Sequence, residues 1–513
     1  ADSPDLSIAS ADEYLSVLQR ANIMADPEAR RAAIADQIRA IAAQAGGSIA
    51  DDPGLLEEVT HLVEQPTALL GSFEDRYLAL PQDVLITVMK KHQRYFPVLK
   101  SGMGMKSGMG MKSGMGMPDY GLANYFIAVR NGNSDHLDVV RHGNEGVLRA
   151  RYADAEYFFK RDTQKKLEDY LPRLGTLTFQ ARLGSMLDRV RRIEALTPKI
   201  AARLGLADDE LNAAGRAAHL CKADLVTQMV IEFTSLQGSM GREYARRSGE
   251  SEAVAEAIFE HYLPRYAGDQ LPQSKAGVVV GLADRLDSLV GLFGIGLAPT
   301  GSADPWALRR AALGVVQVLV DRGLSFPLRD ALQLAAESQP VEVEDKTIGE
   351  VLAFIGGRLR ALLLDRGYRY DAADAVLAVR ADNPYVAASE VAALAQQMQT
   401  PDWSEVLSNY ARCVRITRDL KERLPLDTRA DKEPATAQLR DATDRATARV
   451  KAQPNVNTLV SELRGLRDTI FTYFEKVLVM AEDEAVRTAR LGLVQHVARL
   501  SEGIVDLSKV EGF

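Results

Sequence analysis

The chain has 513 residues, 46% hydrophobic and 26% charged, with a formal net charge of −8. That length accommodates roughly three or four domains with sizeable cores, and the acidic balance argues against wholesale wrapping of nucleic acid, though a basic face can sit on an acidic body. Two distant cysteines, Cys221 and Cys413, without a CxxC partner, exclude a disulfide framework or a cysteine zinc site and fit a reducing cytoplasm.

In chain order, the opening ADSPDL lacks a basic-then-apolar signal pattern, and its start at Ala1 reads as a processed or fragment end. Residues 10–45 are helical by spacing, with Tyr14, Leu15, Val17 and Leu18 on one face. GGSIADDPG breaks the pattern, and a helix over 55–66 stops at Pro66. Short runs rich in β-branched and aromatic residues then predict a small α+β unit with several strands over 67–135. Inside it KSGMGM occurs three times in succession over 100–117, between the paired runs PVLK and NYFIAV. Such low complexity builds no core and reads as a loop; a methionine-rich Cu(I) loop is the alternative, since thioethers suit that ion.

From about residue 145 the spacing predicts helices almost throughout: to Pro172, then 179–204, 208–230, 251–262, 274–293, 305–322, 346–367, 370–395 and 403–420. The charged, Pro-containing stretch 421–436 reads as a hinge or loop, and 437–513 as three or more amphipathic helices. No stretch is long and apolar enough for a transmembrane helix, so no membrane partner is expected.

Three constellations could carry chemistry. His219, Asp224, His261, Asp284 and Asp287 lie in a helical landscape that would suit a metal-dependent phosphohydrolase of the HD type. The diagnostic His-Asp pair is missing, however, and Lys222-Ala223-Asp224 stands there; a lysine ammonium repels a metal. A degenerate HD-like domain without a metal is therefore expected, with Asp224 equally able to pair with a basic helix. A stand-alone HD-type phosphohydrolase remains the alternative. The second constellation is basic: Arg242, Arg246, Arg247, Arg265 and Lys275 surround Tyr244, Tyr262 and Tyr266, and Arg309 and Arg310 follow DPW at a helix start. Arginine forks match phosphate geometry and aromatic rings stack on unpaired bases, though a solvated charged surface has the same composition. The third is KKHQRYFPV at 90–98, where Lys90, Lys91, His92 and Arg94 crowd a strand-like edge, with Arg149 and Arg151 on a later helix. No P-loop, GxGxxG, HExxH or Ser-His-Asp order is present, so no catalytic residue is assigned.

The ordered blocks KHQRYFPV, GNEGVLRARYADAEYFF, LPRLGTLTFQARLGS, CKADLVTQMVIEFTSLQGSMGREYA, HYLPRYAGDQLP, ADRLDSLVGLFGIG and DPWALRRAALG closely resemble the β subunit of bacterial glycyl-tRNA synthetase. The likeness runs from about Ser10 to the C-terminus. FTYFEKVLVMAEDEAVRTARLGLVQHV resembles the anticodon-binding bundle shared with arginyl-type synthetases, with the Asp-Ala-Leu-Arg signature changed to Glu484-Ala485-Val486-Arg487. The resemblance implies a mostly α, multidomain chain. Its expected parts are an N-terminal helical segment (1–66), an α+β domain like the editing-type domain of phenylalanyl-tRNA synthetase β (67–160), a degenerate HD-like domain (161–335), a helical linker domain (336–436) and an anticodon-binding bundle (437–513). It further implies that the chain recognises glycine tRNA while a separate α subunit, two of each in the family, attaches glycine using ATP and magnesium. This chain would then bind no cofactor itself. Family chains start earlier, so an N-terminal region is expected to be absent here. Acceptor-arm contacts are expected at Lys222, Arg242, Arg246, Arg247, Arg265, Arg309 and Arg310. Anticodon contacts are expected at Arg487 and Arg490, which share a helical face, with Tyr473 or Phe474.

Overall fold

The computed structural model describes residues 5–100, 121–420, 422–426 and 431–513. It is mostly helical with one small antiparallel sheet and divides into two units, residues 1–201 with 206–281, and residues 202–205 with 282–513. The chain passes from the first to the second within the helix Lys275–Gly294.

The sheet belongs to the first unit. Its strands are β1 (Gly47–Ile49), β2 (Pro66–Ser72), β3 (Phe96–Lys100) and β4 (Leu122–Asn131), in the order β1-β3-β4-β2. The helices Pro27–Gln44 and Pro53–Leu62 cover one face, bringing Ile34, Ile38, Leu55 and Val59 onto Ala68, Phe96, Val98 and Ile127. Each starts where the sequence dictates: Asp26 and Asp52 accept from Glu28 N and Leu55 N, both at 3.0 Å, and a proline follows each cap. These two helices, with β1 between them, thus belong to the α+β unit rather than to a separate helical segment. A sheet with one bare apolar face needs that layer, so the expected boundary at 66 moves.

The strands on either side of the KSGMGM run pair as expected, with Lys100 N donating to Gly121 O at 2.9 Å. Residues 101–120, which hold nearly all of that run, lie outside the described residues. Across β2 and β4, Gly71 pairs with Phe126, whose ring occupies the space a Cβ at Gly71 would need. The long helix Leu137–Asp162 sets Tyr152 against Phe73 and Tyr77, with ring centroids 5.0 and 5.4 Å apart.

Two local expectations fail here. Lys90, Lys91 and His92 sit on a π-helical turn, Val88–His92, instead of a strand edge. Buried Val88 and Met89 hold the turn, and Tyr95 N closes it on Met89 O at 2.9 Å. The segment expected to open a helix at 179 forms a hairpin, β5 (Thr178–Gln180) with β6 (Gly184–Ser185). The helix Met186–Leu204 follows, and Asp188 accepts from Ser185 N at 2.9 Å.

The second unit is a stack of helices. The stretch 370–395 breaks into Tyr370–Arg380 and Pro384–Gln397 because Pro384 starts a new helix, and Leu328–Ala336 was not foreseen. Trp403–Thr417 packs on Val456–Lys476 and Glu484–Ala498, and Tyr410 donates to Ala498 O at 2.6 Å. The C-terminal bundle therefore includes a helix that the sequence reading assigned to the linker domain. The charged stretch before it is partly pinned: Leu424 N donates to Gln495 Oε1 and Gln495 Nε2 to Glu422 O, both at 2.9 Å. The helix Pro434–Ala452 begins inside the expected loop. Among the described residues no helix is long and apolar enough to cross a membrane.

Candidate nucleic-acid interface

In the first unit, Lys222 and His261 lie in turns and Asp224 in the short 3-10 helix Ala223–Val226, and all three are buried. Asp224 Oδ2 accepts from Gly238 N at 2.7 Å and Gly241 N at 3.0 Å. Its carboxyl is nevertheless pushed up to about 6, because complete burial outweighs those donors and the charge of Lys222. His261 Nδ1 donates to Ile258 O, so its Nε2 is the acceptor, and Lys222 Nζ lies 2.8 Å from it and 4.1 Å from the Tyr262 ring centroid. The nitrogen that a metal would need already accepts a hydrogen bond from the Lys222 ammonium. This donor set does not fit a metal, and no observation favours the phosphohydrolase alternative. His219 instead lies between Glu168 and Glu194, at 3.4 and 3.3 Å.

Asp284 and Asp287, also named for that site, fall in the second unit. Asp287 accepts from Gln339 Nε2 at 2.9 Å. Arg285 between them is buried, and burial lowers it to about 10 while Asp284 pulls the other way. Gly314 gives it room: a Cβ there would stand 2.6 Å from Arg285 Nε.

The expected acceptor-arm residues separate into two kinds. Lys222 and Arg242 are corrected to interior struts, since burial removes them from any surface phosphate. Arg242 reaches Asp83 at 3.2 Å and Glu256 at 3.5 Å, with its guanidinium 4.4 Å over Phe259. The others reach solvent. Arg246 pairs with Glu252 and Glu256, Arg247 with Glu243 at 2.7 Å, and Arg265 with buried Asp269 at 2.8 Å. Arg309 donates to Ala303 O and Gly301 O, whereas Arg310 is exposed and makes no hydrogen bond or ion pair among the described residues. These two belong to the second unit and the other five to the first.

In the C-terminal bundle, Asp483 caps the helix Glu484–Ala498 by accepting from Val486 N at 3.0 Å. Arg487 donates to Ala481 O at 3.2 Å and Arg490 to Leu478 O at 2.8 Å, so the shared helical face grips the preceding loop. Arg490 also forks onto Asp431 at 2.8 and 3.0 Å and is only 12% exposed. It is a clamp and is withdrawn as a base-reading group. Tyr473 is fully buried core, while half-buried Phe474 lies 4.5 Å beneath the Arg412 guanidinium. The sequence reading missed the uncovered apolar groups. Val477 and Val479 are buried while Leu478 and Met480 are 72% and 56% exposed, so the loop alternates between core and solvent; Phe471 is 53% exposed. That alternation was legible, but which pair faces solvent was not.

Comparison with known proteins gives these residues a context. The glycyl-tRNA synthetase beta subunit family matches residues 2–378, and a DALR anticodon binding domain matches 406–510. The glycine–tRNA ligase beta subunit of Desulforamulus reducens is 39% identical over 99% of this chain and 71% of its own. That of Desulforudis audaxviator is 41% identical over 98% and 72%. This chain belongs to the glycyl-tRNA synthetase beta subunit family. A relative that Arabidopsis thaliana carries, named glycine–tRNA ligase, chloroplastic/mitochondrial 2, is 36% identical over the whole of this chain and 46% of its own length.

Within this beta subunit, the DALR match starts in the helix Trp403–Thr417. The anticodon-binding domain therefore begins near residue 406 instead of 437, in agreement with the packing of that helix on the bundle. Glu484-Ala485-Val486-Arg487 opens its last long helix, and Arg487 within it is half-exposed.

Proposed function

We propose that this chain is the tRNA-holding subunit of a glycine–tRNA ligase, gripping the acceptor arm and the anticodon of glycine tRNA. A separate α subunit, two of each in the assembly, activates glycine with ATP and magnesium. On this reading the chain binds no cofactor and works in the cytoplasm. The observation that carries the reading is the DALR domain itself, whose loop 477–483 offers Leu478 and Met480 to solvent on a backbone held by Arg487. Unpaired anticodon bases stack on such apolar surface, and a guanidinium with spare donors reads their edges. Arg487 with Phe474 is the anticodon set; Arg246, Arg247, Arg265, Arg309 and Arg310 are the phosphate set.

Replacing Arg487 with Ala tests the assignment. Binding to glycine tRNA should weaken about tenfold, the low end for one lost base contact, with little change for a tRNA carrying a different anticodon. A uniform loss across tRNAs would remove Arg487 from base readout.

A further inference from the structure

The KKHQR segment is used by neither site above, yet its backbone departs twice from regular geometry. Val88–His92 makes a π-helical turn, and Arg94 holds a left-handed φ of 56°. Both features cost stability and collect at functional positions. Together they turn Lys91 and His92 outward while Val88, Met89 and Tyr95 remain buried.

The charges that result are not balanced. Lys90 pairs with Asp52 and Arg94 with Glu58, the latter at 2.8 Å. Lys91 and Arg151, both exposed, make no ion pair or hydrogen bond among the described residues. Lys91 is held below its usual value by partial loss of solvent and then by Arg265 and Lys90. His92 is held down by partial loss of solvent and then by Arg151, Arg94 and Lys91. Among the described residues no carboxylate offsets either effect. Arg265 alone in this set leans on a buried acid, Asp269. Like charges crowded this way repel unless an anion from outside joins them.

Aromatic rings adjoin the cations. His92 meets Phe233 edge-on at 5.2 Å, Phe233 meets Phe158 at 6.5 Å, and Phe158 meets Tyr157 at 5.9 Å. Tyr157 is 58% exposed. Cations beside a run of rings that ends in an exposed tyrosine suit a nucleic-acid strand, where phosphates and base faces alternate, better than an acidic peptide. We propose that Lys91, His92 and Arg151 form a docking surface for the phosphodiester backbone of RNA. The proposal rests on the reading of this chain as a tRNA-binding subunit, and it adds a contact outside the two arginine sets.

The test is equilibrium binding of the full chain to glycine tRNA across a salt series, beside a Lys91→Ala/Arg151→Ala double variant. Both residues are exposed, so the variant should melt at the parent temperature. Each released phosphate contact flattens the slope of log K against log salt by about 0.7 to 0.9. The double variant should therefore bind about tenfold more weakly at low salt, with a slope flatter by about one to two. Lys91→Arg/Arg151→Lys should retain both values, and Lys346→Ala in the second unit should change neither. Unchanged affinity and slope in the double variant, with firm binding by the parent, would overturn this surface and leave the subunit reading intact. Absence of binding by the parent would overturn both. A variant that keeps RNA binding but loses the α subunit would assign the surface to an acidic protein and end the RNA proposal.

Discussion

Asp224 is enclosed on every side, with Oδ2 held by two backbone donors and Oδ1 without a hydrogen-bond partner among the described residues. Folding raises this carboxyl from 3.8 to about 6. Its contribution to stability is therefore complete below pH 3.8 and is lost as pH rises through 6. Two pKa units correspond to about 3 kcal/mol. Asp224→Asn cannot ionise, so its stability relative to the parent should improve by that order between pH 4 and pH 7 in denaturant titrations. A difference that stays flat with pH would show that Asp224 does not titrate in this range. At Arg490 the logic reverses, because the partner Asp431 is only 2% exposed. Burial alone would raise that carboxyl, but Arg490 and Thr436 outweigh it and hold it low. Arg490→Ala leaves a buried charge unpaired and should cost about 3 to 5 kcal/mol in unfolding measurements. A loss below about 1 kcal/mol would return Arg490 to the surface set.

At the scale of elements, the sheet depends on Gly71. The Phe126 ring crosses β2 where a side chain would stand, so Gly71→Ala must displace ring or strand. We expect a loss of about 1 to 3 kcal/mol, read as a lower midpoint in denaturant. Neutral behaviour would mean that the ring swings clear. This dependence is invisible in sequence because Gly71 and Phe126 lie far apart along the chain. What was legible were the periodic helices and the paired runs on either side of the methionine-rich repeat, since local spacing reports the face that each element buries. Boundaries were harder to read. The helices Pro27–Gln44 and Trp403–Thr417 carry patterns that say they pack, but not on what. The site divides in the same way: a list of arginines can be read from sequence, yet whether one meets solvent, like Arg310, or a buried acid, like Arg490, is decided by residues elsewhere.

Across the whole molecule, a chain of net charge −8 meets RNA through local surfaces. On the proposed reading, exposed cations in the first unit would supply salt-sensitive contacts, and the apolar, Arg487-held loop of the anticodon-binding domain in the second would supply base-selective ones. The Lys222–His261 contact occupies the imidazole nitrogen that a metal-dependent hydrolase would need there. With base-selective contacts in the anticodon-binding domain, affinity must depend on the anticodon. The most direct measurement is equilibrium binding of the full chain to glycine tRNA and to the same tRNA with its anticodon exchanged, at fixed salt. We predict tight binding to the first and at least tenfold weaker binding to the second, since each lost base contact costs about 1 to 3 kcal/mol. Equal affinities would contradict anticodon recognition by this domain, and no binding to either would contradict the tRNA-holding role.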